Sequence, residues 1–172
     1  MHAVVIYESM LGNTEKIARA IAEGLSPRVP ADVVNVDKAT PELAGADLIV
    51  VGGPTHVHGM SRSSTRDGAR KQASGEIRSA TGIREWLEGL GAAPDGALAA
   101  TFDTRLGQPR WLTGSAARGA AKLLRRHGYR LLVPAESFFV VTKPDRLVDG
   151  ELDRAHRWGE RLADRVAPAS PR

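Results

Sequence analysis

The stretch ESMLGNTEK, residues 8–16, joins two segments of different periodicity. Residues 2–8, HAVVIYE, form a short and largely apolar run, which is typical of a strand buried on both faces of a sheet. Residues 14–25, TEKIARAIAEGL, carry apolar side chains at helical spacing. The stretch is therefore predicted to be the turn that leads from the first strand into the first helix.

The residues of this turn allow two interpretations. Ser9, Gly12, Asn13 and Thr14 are small or carry hydrogen-bonding groups. In the first interpretation, Asn13 or Thr14 simply caps the helix. In the second, the backbone N–H groups and the dipole at the helix start bind a phosphate, which Gly12 allows the backbone to approach closely. The turn has neither the Gly-Lys-Ser/Thr ending of a Walker loop nor the GxGxxG dinucleotide motif.

The rest of the chain alternates between strand-like and helix-like segments. Strands are predicted at residues 31–37, 46–54, 96–103 and 129–141, and helices at residues 81–90, 113–128 and 149–166. The intervening residues 61–80 are polar and rich in small side chains, which indicates a loop that carries a short helix. This alternation favours a parallel sheet covered by helices on both faces. We predict one three-layer, doubly wound α/β domain over residues 1–167, followed by a disordered tail at residues 168–172.

Three loops of this fold are candidates for a ligand site. Parallel sheets of this kind bind ligands beyond the carboxyl ends of their strands, near the point where the strand order reverses. The opening turn follows the first strand, GGPTHVHGMSR at residues 52–62 follows the third, and FDTRLGQPRW at residues 102–111 follows the fourth. The glycines and proline at residues 52–54 are expected to end the third strand, and Pro134 is expected to interrupt the fifth.

Several side chains in these loops allow more than one interpretation. His56 and His58 are one residue apart, but a metal site would need a third ligand that the pattern does not supply. We therefore predict no metal site, and the two histidines are either exposed loop residues or neighbours of a planar ligand. Trp111 is predicted to be a packed residue rather than one that stacks on a ligand.

The composition limits the chemistry that the chain can perform. None of the 172 residues is cysteine, which excludes disulfides, cysteine nucleophiles and thiolate metal sites. Redox chemistry would therefore depend on a bound cofactor. The sequence has no apolar stretch of membrane-spanning length, and its first residues lack the pattern of a signal peptide. We expect a cytoplasmic protein without membrane contact.

The net charge of +4 is unevenly distributed. Residues 104–135 contain no acidic residue, and their cations are Arg105, Arg110, Arg118, Lys122, Arg125, Arg126 and Arg130. This region is either a solvated helix face or a docking surface for an acidic protein or an anionic small molecule. Aromatic residues are sparse and no nucleic-acid-binding motif accompanies the cations, so nucleic acid is not an expected partner.

Two of these motifs carry a family resemblance. SMLGNT at residues 9–14 and GGPTHVHG at residues 52–59 resemble the loops of flavodoxin-like flavoproteins, and the similarity extends through PAESFFVV at residues 134–141 to the closing helix. The resemblance implies a five-stranded parallel sheet with the strand order 2-1-3-4-5 and a bound FMN. A phosphoacceptor receiver domain would need an aspartate at the end of the third strand, where this chain has glycines.

The resemblance also implies a set of cofactor-binding residues. The first loop would surround the FMN phosphate, through Ser9, Met10, Leu11, Gly12, Asn13 and Thr14. The second would line one side of the flavin ring, through Pro54, Thr55, His56, Val57, His58 and Gly59. The third would approach the pyrimidine edge or the other side, through Asp103, Thr104, Arg105, Leu106 and Gly107. The flavin would carry the chemistry, so no catalytic side chain is predicted.

Some features depart from the family pattern. Leu11 occupies a position where many flavodoxins have a hydroxyl residue, the aromatic pair that often brackets the flavin is not evident, and the chain is basic whereas electron-transfer flavodoxins are typically acidic. The first loop and PTHVHG also look like those of NAD(P)H:quinone reductases. The main expectation is an FMN-binding protein that carries electrons or hydride to a redox partner protein or a small acceptor. The alternatives are an NAD(P)H-dependent quinone or nitro-compound reductase, and a flavin-free binding or scaffold module.

Overall fold

The computed structural model describes residues 1–56, 58–72, 78–143 and 145–166. Val57, which was expected beside the flavin, and the predicted tail at residues 168–172 lie outside the described residues. The strands are β1 (Ala3–Tyr7), β2 (Ala31–Asn35), β3 (Leu48–His56), β4 (Gly59–Met60), β5 (Leu98–Leu106), β6 (Arg130–Leu131), β7 (Glu136–Thr142) and β8 (Asp145–Leu147). The α-helices are α1 (Asn13–Leu25), α2 (Ser63–Gln72), α3 (Ile83–Glu88), α4 (Arg110–Thr113), α5 (Ala116–Arg126) and α6 (Glu151–Val166).

The centre of the fold is a parallel sheet with the order β2-β1-β3-β5, beyond which β6 and β7 both pair with β5. The strands β6 and β7 together form the predicted fifth strand, so the predicted order 2-1-3-4-5 is confirmed. Leu98 pairs with Arg130, whereas Phe102 pairs with Glu136, so the fifth strand holds two extra residues between these pairs. Pro134 lies in this bulge, where its missing N–H breaks no ladder hydrogen bond.

The sheet also contains two antiparallel additions that were not predicted. β4 folds back on the end of β3, and β8 pairs with the outer edge of β7. The expectation that residues 52–54 would end the third strand is wrong, because β3 continues to His56. The helix expected at residues 113–128 begins later, at Ala116, because Gly114, with a φ of 70°, separates α5 from the short helix α4.

The glycines of β3 serve packing inside the sheet. A Cβ atom at Gly52 would lie 2.2 Å from the ring of Phe102 on β5. Phe102 packs edge-to-face against Phe138 and Trp158, with ring centroids 6.1–6.4 Å apart within this group of three. These rings belong to the core between the sheet and the helices α1 and α6. A second core lies on the other sheet face, beneath α3 and α5.

Two glycines allow α1 and α6 to cross in direct backbone contact. A Cβ atom at Gly24 would lie 2.1 Å from the carbonyl oxygen of His156, and one at Gly159 would lie 2.2 Å from the carbonyl oxygen of Ile21. The crossing therefore fixes the position of α1 on the sheet. Since α1 begins at the end of β1, this packing also fixes the place of the opening turn.

No helix in the described parts of the chain has both the length and the apolar composition required to cross a lipid bilayer.

Candidate functional site

A cavity of about 470 Å³ opens at the carboxyl ends of β1, β3 and β5, where the three candidate loops meet. Its volume falls within the range of roughly 300–1,000 Å³ that is common for small-molecule sites. The cavity is lined by Ser9, Met10, Leu11, Asn13, Thr14, Pro54, Thr55, His56, Thr104, Arg105, Leu106, Val140, Thr142 and Asp145. The strand order reverses between β1 and β3, so the cavity lies where parallel sheets bind ligands.

The opening turn is shaped by Ser9 and Gly12. The Ser9 Oγ accepts hydrogen bonds from the backbone N–H groups of Gly12, at 3.0 Å, and Glu15, at 3.4 Å. Gly12 is the N-cap residue of α1 and has a left-handed φ of 101°. The prediction that Asn13 or Thr14 is the N-cap residue is therefore wrong, and the side chain that bonds N–H groups at the helix start is Ser9.

Backbone donors at the start of α1 remain available for a ligand. Within the described residues, the N–H groups of Leu11, Asn13 and Thr14 have no hydrogen-bond partner. All three residues line the cavity. Neighbouring N–H groups at a helix start form an anion-binding site, because they add their partial charges to the helix dipole. The backbone of this turn is therefore suited to hold a phosphate.

The side chains of Asn13 and Thr14 already have protein partners. The Thr14 Oγ1 lies 2.7 Å from the Thr104 Oγ1, and this pair of buried hydroxyls joins the first loop to the third. The Asn13 Nδ2 donates to Asp145 Oδ1 at 3.1 Å. Burial raises the pKa of the Asp145 carboxyl, which stands at the cavity edge on β8. Sequence reasoning missed Asp145, because the short antiparallel strand that carries it has no recognisable pattern.

Arg78 and Ser79 support the opening turn from outside. The Ser79 Oγ accepts a hydrogen bond from the Ser9 N–H at 3.0 Å, and the Arg78 N–H donates to the Met10 carbonyl at 3.3 Å. The Arg78 guanidinium forms an ion pair with Glu15 at 2.7 Å. It also covers Gly12, where a Cβ atom would lie 3.1 Å from the Arg78 Cζ. Part of the polar segment at residues 61–80 thus fixes the first loop, a role that the sequence did not indicate.

The second loop folds back as a β3–β4 hairpin. Thr55 and His56 pair with Met60 and Gly59, and the positive φ of His58, 70°, belongs to the tight turn. His56 lines the cavity, and burial, followed by the nearby Arg66 charge, lowers the pKa of its ring. Both effects favour the neutral form of the His56 ring. Within the described residues there is no cluster of three or more His, Cys, Asp or Glu that could hold a metal ion.

Asp103 joins the second and third loops to α5 instead of lining the cavity. Its Oδ2 accepts hydrogen bonds from the Thr55 Oγ1 at 3.1 Å, the Ser115 Oγ at 2.6 Å and the Ala117 N–H at 3.0 Å. The carboxylate is fully buried. Gly12, His58, Gly59 and Gly107 are also absent from the cavity wall, although each belongs to one of the three loops. These residues shape or flank the loops around the cavity.

Arg105 brings a buried cation to the cavity wall. Its Nη1 donates to the carbonyl oxygens of Leu106, at 3.2 Å, and Gln108, at 2.7 Å, and to the Thr113 Oγ1 at 3.0 Å. Its Cζ lies 5.1 Å from the centre of the Phe139 ring. Burial lowers the pKa of the guanidinium, which nevertheless stays protonated as arginine does in proteins. The cavity wall therefore carries a fixed positive charge.

Glu8 holds a second buried network behind the hairpin. Its Oε1 accepts from the Ser61 Oγ at 2.5 Å, and its Oε2 accepts from the Ile83 N–H at 2.9 Å. Arg66 donates to Ser61 at 2.9 Å and forms an ion pair with Glu85 at 2.9 Å. Burial raises the pKa of the Glu8 carboxyl. This network joins the end of β1 to α2 and α3 without entering the cavity.

The prediction that Trp111 is packed is wrong. Trp111 is 83% exposed, and none of the four residues of α4 is buried. Leu106 and Leu112 are exposed beside it, and Leu11 is 49% exposed at the opening turn. Of these exposed apolar side chains, Leu11 and Leu106 line the cavity itself.

Comparisons with known proteins agree with this architecture. Residues 4–66 match the family model described as the flavodoxin domain. Among solved structures, a flavodoxin from the domain Archaea shares 23% identity with a TM-score of 0.69, covering 96% of this chain and 99% of that one. Oxidised flavodoxin 1 from Bacillus cereus shares 16% identity with a TM-score of 0.66, covering 95% and 98%.

A third solved structure, a WrbA-like flavodoxin protein from Agrobacterium tumefaciens, shares 20% identity with a TM-score of 0.60 and covers 96% of each chain. No curated protein sequence is significantly similar to this chain. At these identities the structural likenesses establish the fold, and the three loops and the cavity carry the functional argument.

Proposed function

We propose that this protein, whose fold is flavodoxin-like, binds FMN in the cavity of about 470 Å³ and carries electrons through it. The observation that carries the proposal is the set of unpartnered N–H groups at Leu11, Asn13 and Thr14, which belong to residues that line this cavity. The FMN phosphate would bind to these backbone donors, as anions do at helix starts. The polar contacts of Ser9 with Gly12 and Glu15 keep the turn open in this conformation.

The rest of the cavity suits a planar group attached to the phosphate. Met10, Pro54, Leu106 and Val140 provide apolar wall, and His56 provides a neutral ring on one side. FMN supplies one-electron and two-electron chemistry when it is bound, so the chain needs no nucleophile or cysteine of its own. The Arg105 cation would favour a negatively charged reduced cofactor and would raise its reduction potential. The Asp145 carboxyl beside Asn13 would, when ionised, lower the reduction potential of the cofactor.

The visible spectrum of the purified protein, with and without added FMN, tests the proposal. We expect flavin absorption with a shifted and structured band, and quenching of FMN fluorescence on binding. Riboflavin, which lacks the phosphate, should bind at least about tenfold more weakly, because each charge-assisted hydrogen bond contributes roughly 1.5–3 kcal/mol. A colourless protein that does not quench FMN fluorescence would overturn the proposal and favour the flavin-free binding or scaffold module.

One observation favours the NAD(P)H-dependent quinone or nitro-compound reductase as a second candidate. Leu11 is 49% exposed and lines the cavity, where it extends the apolar surface toward the mouth. An apolar acceptor such as a quinone could pack against this surface. Steady-state oxidation of NADPH in the presence of a quinone would support the reductase. Electron exchange with a dedicated reductase, without direct NADPH turnover, would support the carrier.

A further inference from the structure

We propose that an acidic electron-transfer protein docks on the basic surface beside the cofactor cavity. This surface consists of a groove between α3 and α5, which we call the basic groove, and of the exposed side chains of Leu106, Trp111 and Leu112. The inference rests on the proposed function, since the electrons would pass between this partner and the bound FMN. The inference is supported by the charge of the groove and by its position next to the cavity.

The basic groove has a volume of about 550 Å³ and starts at the β3–β4 hairpin. Its floor includes the hairpin residues His58, Gly59 and Met60. The cations that line it are Arg84, Arg110, Arg118, Lys122 and Arg126, and its single carboxylate is Glu88. The groove therefore contains most of the cations from the acid-free region of the sequence, together with Arg84 from α3.

The described residues leave an excess of positive charge in the groove, with five cations against one carboxylate. In the described residues, none of these five cations forms an ion pair with a carboxylate. Arg84 is directed toward the hairpin by hydrogen bonds to the carbonyl oxygens of Met60, at 3.3 Å, and Ser61, at 3.4 Å. Uncompensated cations in a concave surface focus the positive potential and attract an acidic partner. The solvated helix face, the alternative interpretation of this region, does not explain why α3 and α4 add cations to the same groove.

The spacing of the cations indicates an extended occupant. Arg118, Lys122 and Arg126 are four residues apart on α5, so they form one stripe along the helix. At a rise of 1.5 Å per residue, this stripe is about 12 Å long. A small anion would contact only one turn of it, whereas an acidic protein surface can pair with the whole stripe.

The apolar part of the surface points to a protein rather than to a nucleic acid. Trp111 is 83% exposed on a helix that has no buried residue, and Leu112 is exposed beside it. Tryptophan and arginine are enriched at the energetic centres of protein interfaces. A partner that covers Trp111 would bury this apolar area while its carboxylates pair with the groove.

The surface also reaches the cofactor cavity. A small cavity of about 200 Å³ is lined by Thr55, His58, Arg105, Leu106, Leu112 and Thr113. It shares His58 with the basic groove, and it shares Thr55, Arg105 and Leu106 with the cofactor cavity. A protein that docks here would lie against the cavity mouth, so that one electron could pass from its redox centre to FMN while solvent supplies any proton.

The test uses a plant-type ferredoxin, a strongly acidic one-electron carrier, as the probe. The charge-reversed variant is Arg118→Glu/Lys122→Glu, and its matched control is Arg125→Glu/Arg130→Glu, which changes the net charge equally at exposed cations outside the groove. Binding of ferredoxin is measured on immobilised protein with and without FMN. The rate of flavin reduction by reduced ferredoxin is measured by stopped flow at several salt concentrations.

At low salt, we expect the groove variant to bind ferredoxin at least about tenfold more weakly and its flavin to be reduced at least about tenfold more slowly. In the control variant, the affinity and the rate should each change less than about threefold. Trp111→Ala should weaken binding by about tenfold as well. The rate with wild-type protein should fall as the salt concentration rises. The proposal would be overturned if the groove variant and the control lost the same affinity for ferredoxin. It would also be overturned if the wild-type protein bound ferredoxin no more tightly than the groove variant does.

Two further outcomes would assign the groove to another ligand and would also overturn the proposal. In the first, pyrophosphate binds to the wild-type protein but not to the groove variant, whereas electron exchange with ferredoxin is the same in both. The second is tighter binding of a duplex oligonucleotide than of ferredoxin. Failure of the FMN proposal is distinguishable, because it would abolish flavin reduction in every variant and leave the binding measurement intact.

Discussion

Gly12 is the residue on which the proposed phosphate site most directly depends. Its φ of 101° is strained for any side chain, and a Cβ atom would lie 3.1 Å from the Arg78 Cζ. We expect Gly12→Ala to weaken FMN binding by about tenfold or more, because a non-glycine residue in this conformation costs roughly 1–3 kcal/mol. Fluorescence titration with FMN measures the loss.

Gly107→Ala is the matched control, since Gly107 has open space around it and an ordinary φ. Unchanged affinity in Gly12→Ala, with normal thermal unfolding, would place the phosphate elsewhere. Gly12→Asp would be a less informative change than Gly12→Ala. The new carboxylate would stand beside Arg78, so an ion pair could offset part of its repulsion toward a phosphate.

Glu8 makes stability depend on pH. Burial raises the pKa of its carboxyl in the folded protein, so the folded chain keeps this proton to a higher pH than the unfolded chain. The contribution of protonated Glu8 to stability is therefore complete below the ordinary carboxyl pKa of about 4.3 and is lost as the pH rises through the raised value. Glutamine carries no charge at any pH.

The free energy of unfolding of Glu8→Gln, relative to wild type, should therefore shift in favour of the variant as the pH rises from about 4 to 8. Urea titrations at several pH values measure this difference. Glu23→Gln, at an exposed position on α1, serves as the control. If the difference instead shifted in favour of the wild type with rising pH, the contacts of Glu8 with Ser61, Ile83 and Arg66 would stabilise its ionised form more than burial destabilises it.

At the scale of the elements, the crossing of α1 and α6 is the least tolerant contact. A Cβ atom at Gly159 would lie 2.2 Å from the Ile21 carbonyl oxygen, so the two helices must separate to accept it. We expect Gly159→Ala to lower the free energy of unfolding by about 1–3 kcal/mol, as overpacking does. Chemical denaturation measures the loss.

Gly68→Ala provides the contrast, because Gly68 lies in α2 with no atom within 4 Å of a new Cβ. It should stabilise the protein by about 0.5–1 kcal/mol, since alanine restricts the unfolded chain more and favours the helix. If both substitutions had the same effect, the close approach of α1 and α6 would not limit stability.

The helix α4 differs from every other helix of the described chain in having no buried residue with which to pack. We expect Trp111→Ala on α4 to change the free energy of unfolding by less than about 0.5 kcal/mol, as surface substitutions do. Trp158→Ala on α6 removes a buried ring and should cost about 3–5 kcal/mol. Thermal unfolding of both variants checks this contrast. A large loss in Trp111→Ala would mean that Trp111 packs against the chain and is not available to a partner.

The elements that the sequence predicted well are those with a strong local pattern. A short local pattern is enough to identify the first strand, the helix after it and the closing helix. The alternation of strands and helices then determines the layers. The sequence did not predict β4 and β8, because strands of two or three residues are too short for a pattern. It placed the end of the third strand too early, since Gly52 serves packing against Phe102 and not a turn.

The candidate site was predictable to a similar degree. The three loops could be expected to converge, because parallel strands direct their carboxyl ends to one edge of the sheet. The contacts of Ser79 with Ser9 and of Asp145 with Asn13 join residues that are far apart in the chain, so no local spacing announces them. Asp103 was assigned to the flavin by resemblance, and the sequence did not indicate that its Oδ2 would bond Thr55, Ser115 and the start of α5.

At the scale of the whole molecule, FMN should stabilise the fold. A ligand that binds only the folded chain adds about 2.7 kcal/mol to its stability at a concentration one hundred times the dissociation constant. For a chain of this length, such a gain corresponds to a rise of roughly 5–10 °C in Tm. Differential scanning fluorimetry with FMN, and with riboflavin as the control, measures it. An equal rise with both ligands would show that the phosphate contributes nothing to binding.

The glycine crossing of α1 and α6 has a consequence for the order of events during synthesis. The turn at Gly12 leaves the ribosome before α6, which is the helix against which α1 packs and the last described element of the chain. Domains generally fold as units once the required segments have emerged. The opening turn is therefore synthesised before the crossing of α1 and α6 can fix its position. We expect FMN to bind only after the polypeptide through Gly159 has left the exit tunnel.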